Sequence, residues 1–174
     1  LKTTGTEEWT KKHLNMLQNY YRKAPYFEEV FQILQQFMAS NYETICEWTC
    51  ASIRLVCDLL EIKTPQIYQS TMEYDRGAKK SDLILSLCLA SGASSYLAGG
   101  GASKNYLDSE KFAKKNVLID FQNFIHPIYP QYSSPEFVAG ISCLDFLFNC
   151  GIEESRRLFS VNVQSTHEFD GIEA

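Results

Sequence analysis

Residues 83–121, LILSLCLASGASSYLAGGGASKNYLDSEKFAKKNVLIDF, decide the fold class. The first 18 positions, 83–100, carry no charge and have the length of a membrane span. Four Ser and three Gly among them make a poor hydrocarbon segment, so no membrane insertion is expected. The stretch reads instead as a buried helix from Lys79 or Lys80 to Ala90, a left-handed turn at Gly92 and a buried strand at Ser94–Ala98. A loop, Gly99-Gly100-Gly101, follows. Asp108 can cap a short helix through Lys115, and Val117–Phe121 is a second strand. Strand, helix and strand in that order call for a right-handed crossover and parallel pairing.

Upstream, the chain is helical. Thr6 can cap a helix whose first turn holds Glu7 and Glu8, with Trp9, His13, Met16, Leu17, Tyr20 and Tyr21 at helical spacing. Pro25 is expected in the first turn of a second helix, with the apolar stripe Phe27, Val30, Phe31, Leu34, Phe37 and Met38. Asn41 is a plausible cap for a third helix, from Tyr42 to about Leu60. Lys63-Thr64-Pro65 breaks the pattern, and Gln66–Gln69 is a short strand candidate. Downstream, residues 122–141 hold three Pro and no periodicity, and such long loops are more often functional than idle. Short helices at Ser142–Asn149 and Glu153–Phe159 are split at Gly151. The expectation is an α/β fold in which an N-terminal helical group packs on a small, mostly parallel sheet of three-layer type. One domain is expected over 1–160, with a helical part at 1–64 and an α/β part at 65–160. Residues 161–174 are expected to form a frayed tail.

A chain of 174 residues with 45% hydrophobic and 21% charged residues is long enough to bury one core without a staple. A net charge of −5 and a pI near 5.2 argue against nucleic acid as partner. The opening residues carry no charged-then-apolar leader, so no signal peptide is expected. Six Cys without a CxxC or a His cluster offer no zinc spacing and suit a cytoplasmic protein. Cys46, Cys50 and Cys57 share a helical face with Ile53, Val56 and Leu60, and are expected to be small core hydrophobes. No disulfide and no structural metal follow from that.

Four groups could carry chemistry. Gly99-Gly100-Gly101-Ala102-Ser103-Lys104 leaves a strand where free N–H groups and a cation could meet an anion. It matches neither the Walker pattern nor the dinucleotide fingerprint, and a plain flexible turn competes with that reading. His126-Pro127-Ile128-Tyr129-Pro130-Gln131 places His, Tyr and Gln on a proline-bracketed loop, where proton transfer or substrate orientation is chemically reasonable. A structural, hydrogen-bonded His is the bland alternative. Ser142-Cys143-Leu144-Asp145 fits a capping box, and Asp145 is not catalytic merely for being acidic. Lys79-Lys80 sets two cations at a helix start, where the dipole disfavours them; an anion site and a solvated surface both account for it.

These segments resemble the WbqC-like family of bacterial proteins. Trp9-Thr10-Lys11-Lys12-His13 and Tyr21-Arg22-Lys23-Ala24-Pro25-Tyr26-Phe27 are similar to the family's "W..KH" and "Y.KAPYF". Gly92–Gly99 and Lys104-Asn105-Tyr106-Leu107-Asp108 are similar to "GA..YLSG" and "K.YLD". His126–Gln131 resembles "HP.Y.Q", and Ser142–Gly151 resembles "SILDLLFN.G". The family's "GKKT..R" helix start differs here: Gly77-Ala78-Lys79-Lys80-Ser81-Asp82-Leu83 has no Arg. The resemblance also implies a preceding strand with a Gln-Pro motif, so the chain looks like the C-terminal two-thirds of a longer protein.

What the resemblance implies is a role in surface-polysaccharide (O-antigen) biosynthesis. The expected activity is an enzyme modifying an activated sugar or related small metabolite, by group transfer. A non-catalytic ligand- or nucleotide-binding or assembly protein of the same pathway is the alternative. The expected substrate is a small molecule, anionic or nucleotide-activated, and no cofactor is named. His126 and Asp145 are the expected catalytic pair. Gly99, Gly100, Lys104, Tyr106, Tyr129, Gln131 and Lys80 are the expected substrate-binding residues. Both loops leave the carboxyl ends of parallel strands, which is where open α/β sheets receive ligands.

Overall fold

The computed structural model of the chain describes residues 6–168, with side chains described for 7–162. Among these are six α-helices and two strands: α1 (Thr6–Tyr21), α2 (Phe27–Met38), α3 (Ile45–Leu59), α4 (Ser81–Ala90), β1 (Ser95–Ala98), α5 (Ser109–Ala113), β2 (Leu118–Phe121) and α6 (Cys143–Glu168). The fold is the expected mixed α/β class, with helices dominant. Two compact units make it up. One holds the described residues up to Lys63 and from His126 onward; the other is Thr64–Ile125. No described helix is long and apolar enough to cross a membrane.

In the first unit, α2 buries Phe27, Val30, Phe31 and Leu34, the i, i+3, i+4, i+7 face of an amphipathic helix. Ala24, Leu60, Leu147 and Phe148 complete this core. Pro25 lies in the turn before α2 rather than inside its first turn. The Tyr26 N–H is spent on the Phe148 carbonyl (3.1 Å), so the helix opens at Phe27. The α3 cap is Thr44 rather than Asn41. Its hydroxyl accepts from Glu47 N, and the Glu47 carboxylate accepts from Thr44 N, a complete capping box.

Helix α3 also corrects the cysteine expectation. Trp48 is wedged among Trp9, Phe37 and Tyr42, at ring separations of 4.9, 5.5 and 5.0 Å, and its Nε1–H donates to the Tyr42 carbonyl. That anchor turns Trp48 and Ala51 inward. Cys46 is therefore exposed, Cys50 and Cys57 are half-buried, and Ile53 is 55% exposed. Only Val56 and Leu60 of the expected stripe reach the core.

Gly151 interrupts α6 with φ 74° and ψ 171°. A Cβ there would stand 2.6 Å from Cδ1 of Tyr26, so the bare backbone both bends the chain and admits the ring. Beyond the break the helix runs to Glu168. The rest of the tail lies outside the described residues.

In the second unit, β1 and β2 pair in parallel, with Ser95 opposite Leu118 and Ala98 opposite Phe121. Tyr96 and Ile119 pack on the core of Leu85, Cys88, Phe112 and Val117 from α4, α5 and the entry to β2. Leu97 and Leu118 point the other way, 64% and 68% exposed. Gly92 takes φ 69° just past α4, as its sequence position predicts. Asp108 caps α5 by accepting from Lys111 N, and its own N–H donates to Ser81 Oγ (2.9 Å). Gln66–Gln69 is not a strand. Pro65 offers no N–H, Ile67 and Tyr68 are exposed, and the chain passes into a 3₁₀ turn at Gln69–Thr71.

Candidate functional site

The first turn of α6 and the 126–132 loop meet at one buried carboxylate. Asp145 is the third residue of α6 and is 2% exposed. Its Oδ2 accepts from the Tyr129 hydroxyl (2.9 Å) and from Gln131 Nε2 (3.0 Å), and Tyr21 from the end of α1 hydrogen-bonds it as well. The expected capping box is reduced to a simple cap. Ser142 Oγ accepts from Leu144 N (3.2 Å), while the acid turns away from its own helix end toward the loop.

Each donor is itself held. Gln131 is locked to Val138 at both ends of its amide: Oε1 accepts from Val138 N (2.7 Å), and Nε2 donates to Val138 O (3.0 Å). The Tyr129 ring is packed against Phe137 and Phe146, 5.2 and 4.9 Å between centroids. Asn149, one turn beyond Asp145, donates to the Asp145 carbonyl (2.8 Å) and accepts from Tyr132 N (2.7 Å). The loop is thus bolted to α6 at two consecutive turns. Asn149 and Tyr21 lie in segments that the motifs cover, but neither is among the expected site residues. The Asp-x-x-x-Asn step on one helix face was the available signal.

The electrostatics follow from burial. Loss of water pushes the Tyr21 phenol up to about 12, and the Asp145 charge and hydrogen bond add to the rise. Tyr129 is pushed up further, by burial and by Asp145, with Gln131 opposing. Burial likewise lifts the Cys150 thiol to about 11, with Glu154 and Asp145 contributing. Both phenols therefore stay protonated at neutral pH and serve Asp145 as donors. His126, at the start of the loop, is exposed.

The glycine loop belongs to the second unit. Gly100 sits where a Cβ would be 2.7 Å from the Gln122 carbonyl, so only glycine fits beside the outgoing end of β2. Residues Ala102–Asn105 form a 3₁₀ turn that carries Lys104, whose Nζ lies 5.4 Å from the Phe121 ring centre. Ser103 Oγ and the Tyr106 hydroxyl are 3.3 Å apart in the same turn. Lys80 is outside that loop, at the N-cap of α4 with φ 52° and ψ −124°. That is a sparsely populated backbone for a non-glycine residue. The structure therefore brings Tyr129, Gln131 and Asp145 into one hydrogen-bonded set, and Gly99, Gly100, Lys104 and Tyr106 into one loop. Among the described residues no three His, Cys, Asp or Glu side chains converge as metal ligands.

All these residues fall inside a single family match. The sequence profile of the WbqC-like protein family covers residues 1–157. The chain belongs to the WbqC-like protein family. A curated relative, "Uncharacterized protein Rv1507c" of Mycobacterium tuberculosis, is 25% identical over 152 residues. The alignment takes in 86% of this chain and 63% of the relative, so the chain spans less than two-thirds of that protein's length. No solved structure matches the chain significantly. The WbqC-like region contains the whole Asp145 network and the glycine loop, and it ends at Arg157, within the second half of α6.

Proposed function

We propose that this chain is part of a cytoplasmic enzyme of bacterial surface-polysaccharide (O-antigen) biosynthesis, modifying an activated sugar or related small metabolite by group transfer. Family membership supports the pathway. The observation that carries the enzymatic reading is the buried Asp145 network. A carboxylate at 2% exposure loses its hydration and is held by donors from two separated segments, the end of α1 and the 126–132 loop. Apolar residues of similar volume often stabilise a fold as well or better, so such a group is expected where a loop must be held in one conformation. The loop so held carries His126.

In this reading Asp145 is a positioning residue. It fixes Tyr129 and Gln131, and through them the backbone that presents His126 for proton transfer or hydrogen bonding. In the second unit, Lys104 and the N–H groups of the Gly99–Gly101 loop are the residue types that hold an anionic group.

The test uses the full-length protein and a thermal-shift panel of nucleoside-diphosphate sugars, their free nucleotides and free sugars. A ligand at 100 times its Kd stabilises by about 2.7 kcal/mol, which the melting temperature registers clearly. Lys104→Ala is expected to weaken binding of the anionic ligand. His126→Ala is expected to leave binding in place and slow turnover of the same ligand by ~10²–10⁴-fold. If no panel member shifts the melting temperature, or if both variants bind and turn over normally, the reading is wrong.

A further inference from the structure

The Cys46 and Cys50 thiols face each other on α3, Sγ to Sγ 4.0 Å. Cys46 is exposed and Cys50 half-buried. Cys46 is the second residue of the helix, after the Thr44 cap, at the helix end that best receives negative charge. The nearest acid in sequence, Glu47, turns its carboxylate back onto the N–H groups of Glu43 and Thr44, both at 2.9 Å. Arg54 lies one turn beyond Cys50 and favours its thiolate, whereas burial and the Cys46 contact raise the Cys50 thiol. The Cys50 thiol is thus held above its ordinary range, and Cys46, the more exposed of the two, is the sulfur a solute reaches first. Cys143 supplies an internal contrast: it is also exposed and opens α6, but the next cysteine, Cys150, is buried.

We propose that Cys46 and Cys50 form a thiol–disulfide exchange site for small disulfides of the glutathione class, with Cys46 attacking and Cys50 resolving. In the first step the Cys46 thiolate attacks one sulfur of the small disulfide, whose S–S bond breaks and releases one thiolate. In the second, Cys50 gives up its proton and attacks Cys46 Sγ, expelling the other thiolate. The two protein thiols lose two electrons and two protons, and the small disulfide becomes two thiols.

Closing the protein disulfide moves the backbone. Side chains four apart on a helix keep their Cβ atoms about 5–6 Å apart, and a disulfide needs about 3.5–4.5 Å. Cys46 must leave the first turn of α3, which opens the Thr44–Glu47 capping box. A disulfide formed against that resistance is readily reduced, as regulatory ones are.

The experiment equilibrates the full-length protein with graded ratios of oxidised to reduced glutathione and maps the products by peptide mass. The expected products are a Cys46–Cys50 cross-link and a glutathione adduct at Cys143. Cys50→Ser is expected to stop at a glutathione adduct on Cys46 that forms faster than the one on Cys143. Amide exchange at Glu47–Thr49 is expected to quicken on oxidation and return to its original rate with dithiothreitol. A Cys46 adduct that accumulates in the wild type without cross-linking would overturn the proposal. So would a Cys50→Ser protein that modifies Cys46 no faster than Cys143.

Discussion

Asp145 exchanges water for fixed donors, and that exchange is measurable. Asp145→Ala removes the one oxygen that accepts from both Tyr129 and Gln131 and leaves the buried Tyr129 hydroxyl without that acceptor. The variant is expected to lose about 1–3 kcal/mol in urea unfolding, and an unchanged midpoint would show the network to be dispensable. The phenols give a pH signature. Tyr21 titrates at 10.0 when unfolded and about 12 when folded, so the unfolded chain releases that proton first. Its contribution is complete below pH 10 and is lost as pH rises toward 12. Urea midpoints taken across that window are expected to fall, and Tyr21→Phe is expected to flatten the fall. At this scale the sequence reveals the partners but not their pairing. Ser142 and Asp145 have capping-box spacing, yet the acid's choice depends on donors that a loop 14 to 16 residues earlier brings to it. Tyr21 is more than a hundred residues away, where no local pattern reaches.

Elements were legible wherever a residue has one backbone role. Gly92 past α4, Asp108 before α5 and the break at Gly151 all act through φ/ψ or a local hydrogen bond, so their positions predict them. Faces were harder. The Cys46, Cys50, Ile53 stripe and the Trp48, Ala51 stripe lie on the same helix, and the pull of Trp9, Phe37 and Tyr42 on one indole decided between them. Gln66–Gln69 failed as a strand because a short apolar run needs a partner to become one. Gly151 carries the prediction at this scale. Gly151→Ala forces a side chain into backbone that is nearly glycine-only and against the Tyr26 ring at 2.6 Å. A loss of about 1–3 kcal/mol is expected in thermal or urea unfolding. A wild-type melting curve would mean that the kink relaxes freely.

Across the whole molecule, each core cluster draws on one unit. Phe27, Val30, Leu147 and Phe148 belong to the first, and Leu85, Phe112 and Val117 to the second. Separate cores can open separately. In hydrogen exchange, the amides of α4, β1, α5 and β2 are expected to lose protection together, at a denaturant concentration different from that for α2 and the first half of α6. One common transition would refute this. The change of pattern near residue 65 is visible in the sequence. The chain's return to the first unit at His126 is not, because it is marked only by packing with helices made long before. That return has a consequence for synthesis. Phe27, Val30, Phe31 and Leu34 leave the ribosome more than a hundred residues ahead of Leu147 and Phe148, the α6 side chains that cover them. At about 5–20 residues per second, an apolar helix face waits on the order of ten seconds for its partner, with the whole second unit emerging in between. A nascent chain of this kind is a natural client for holding chaperones, and slowing translation between α3 and α6 should lower its soluble yield.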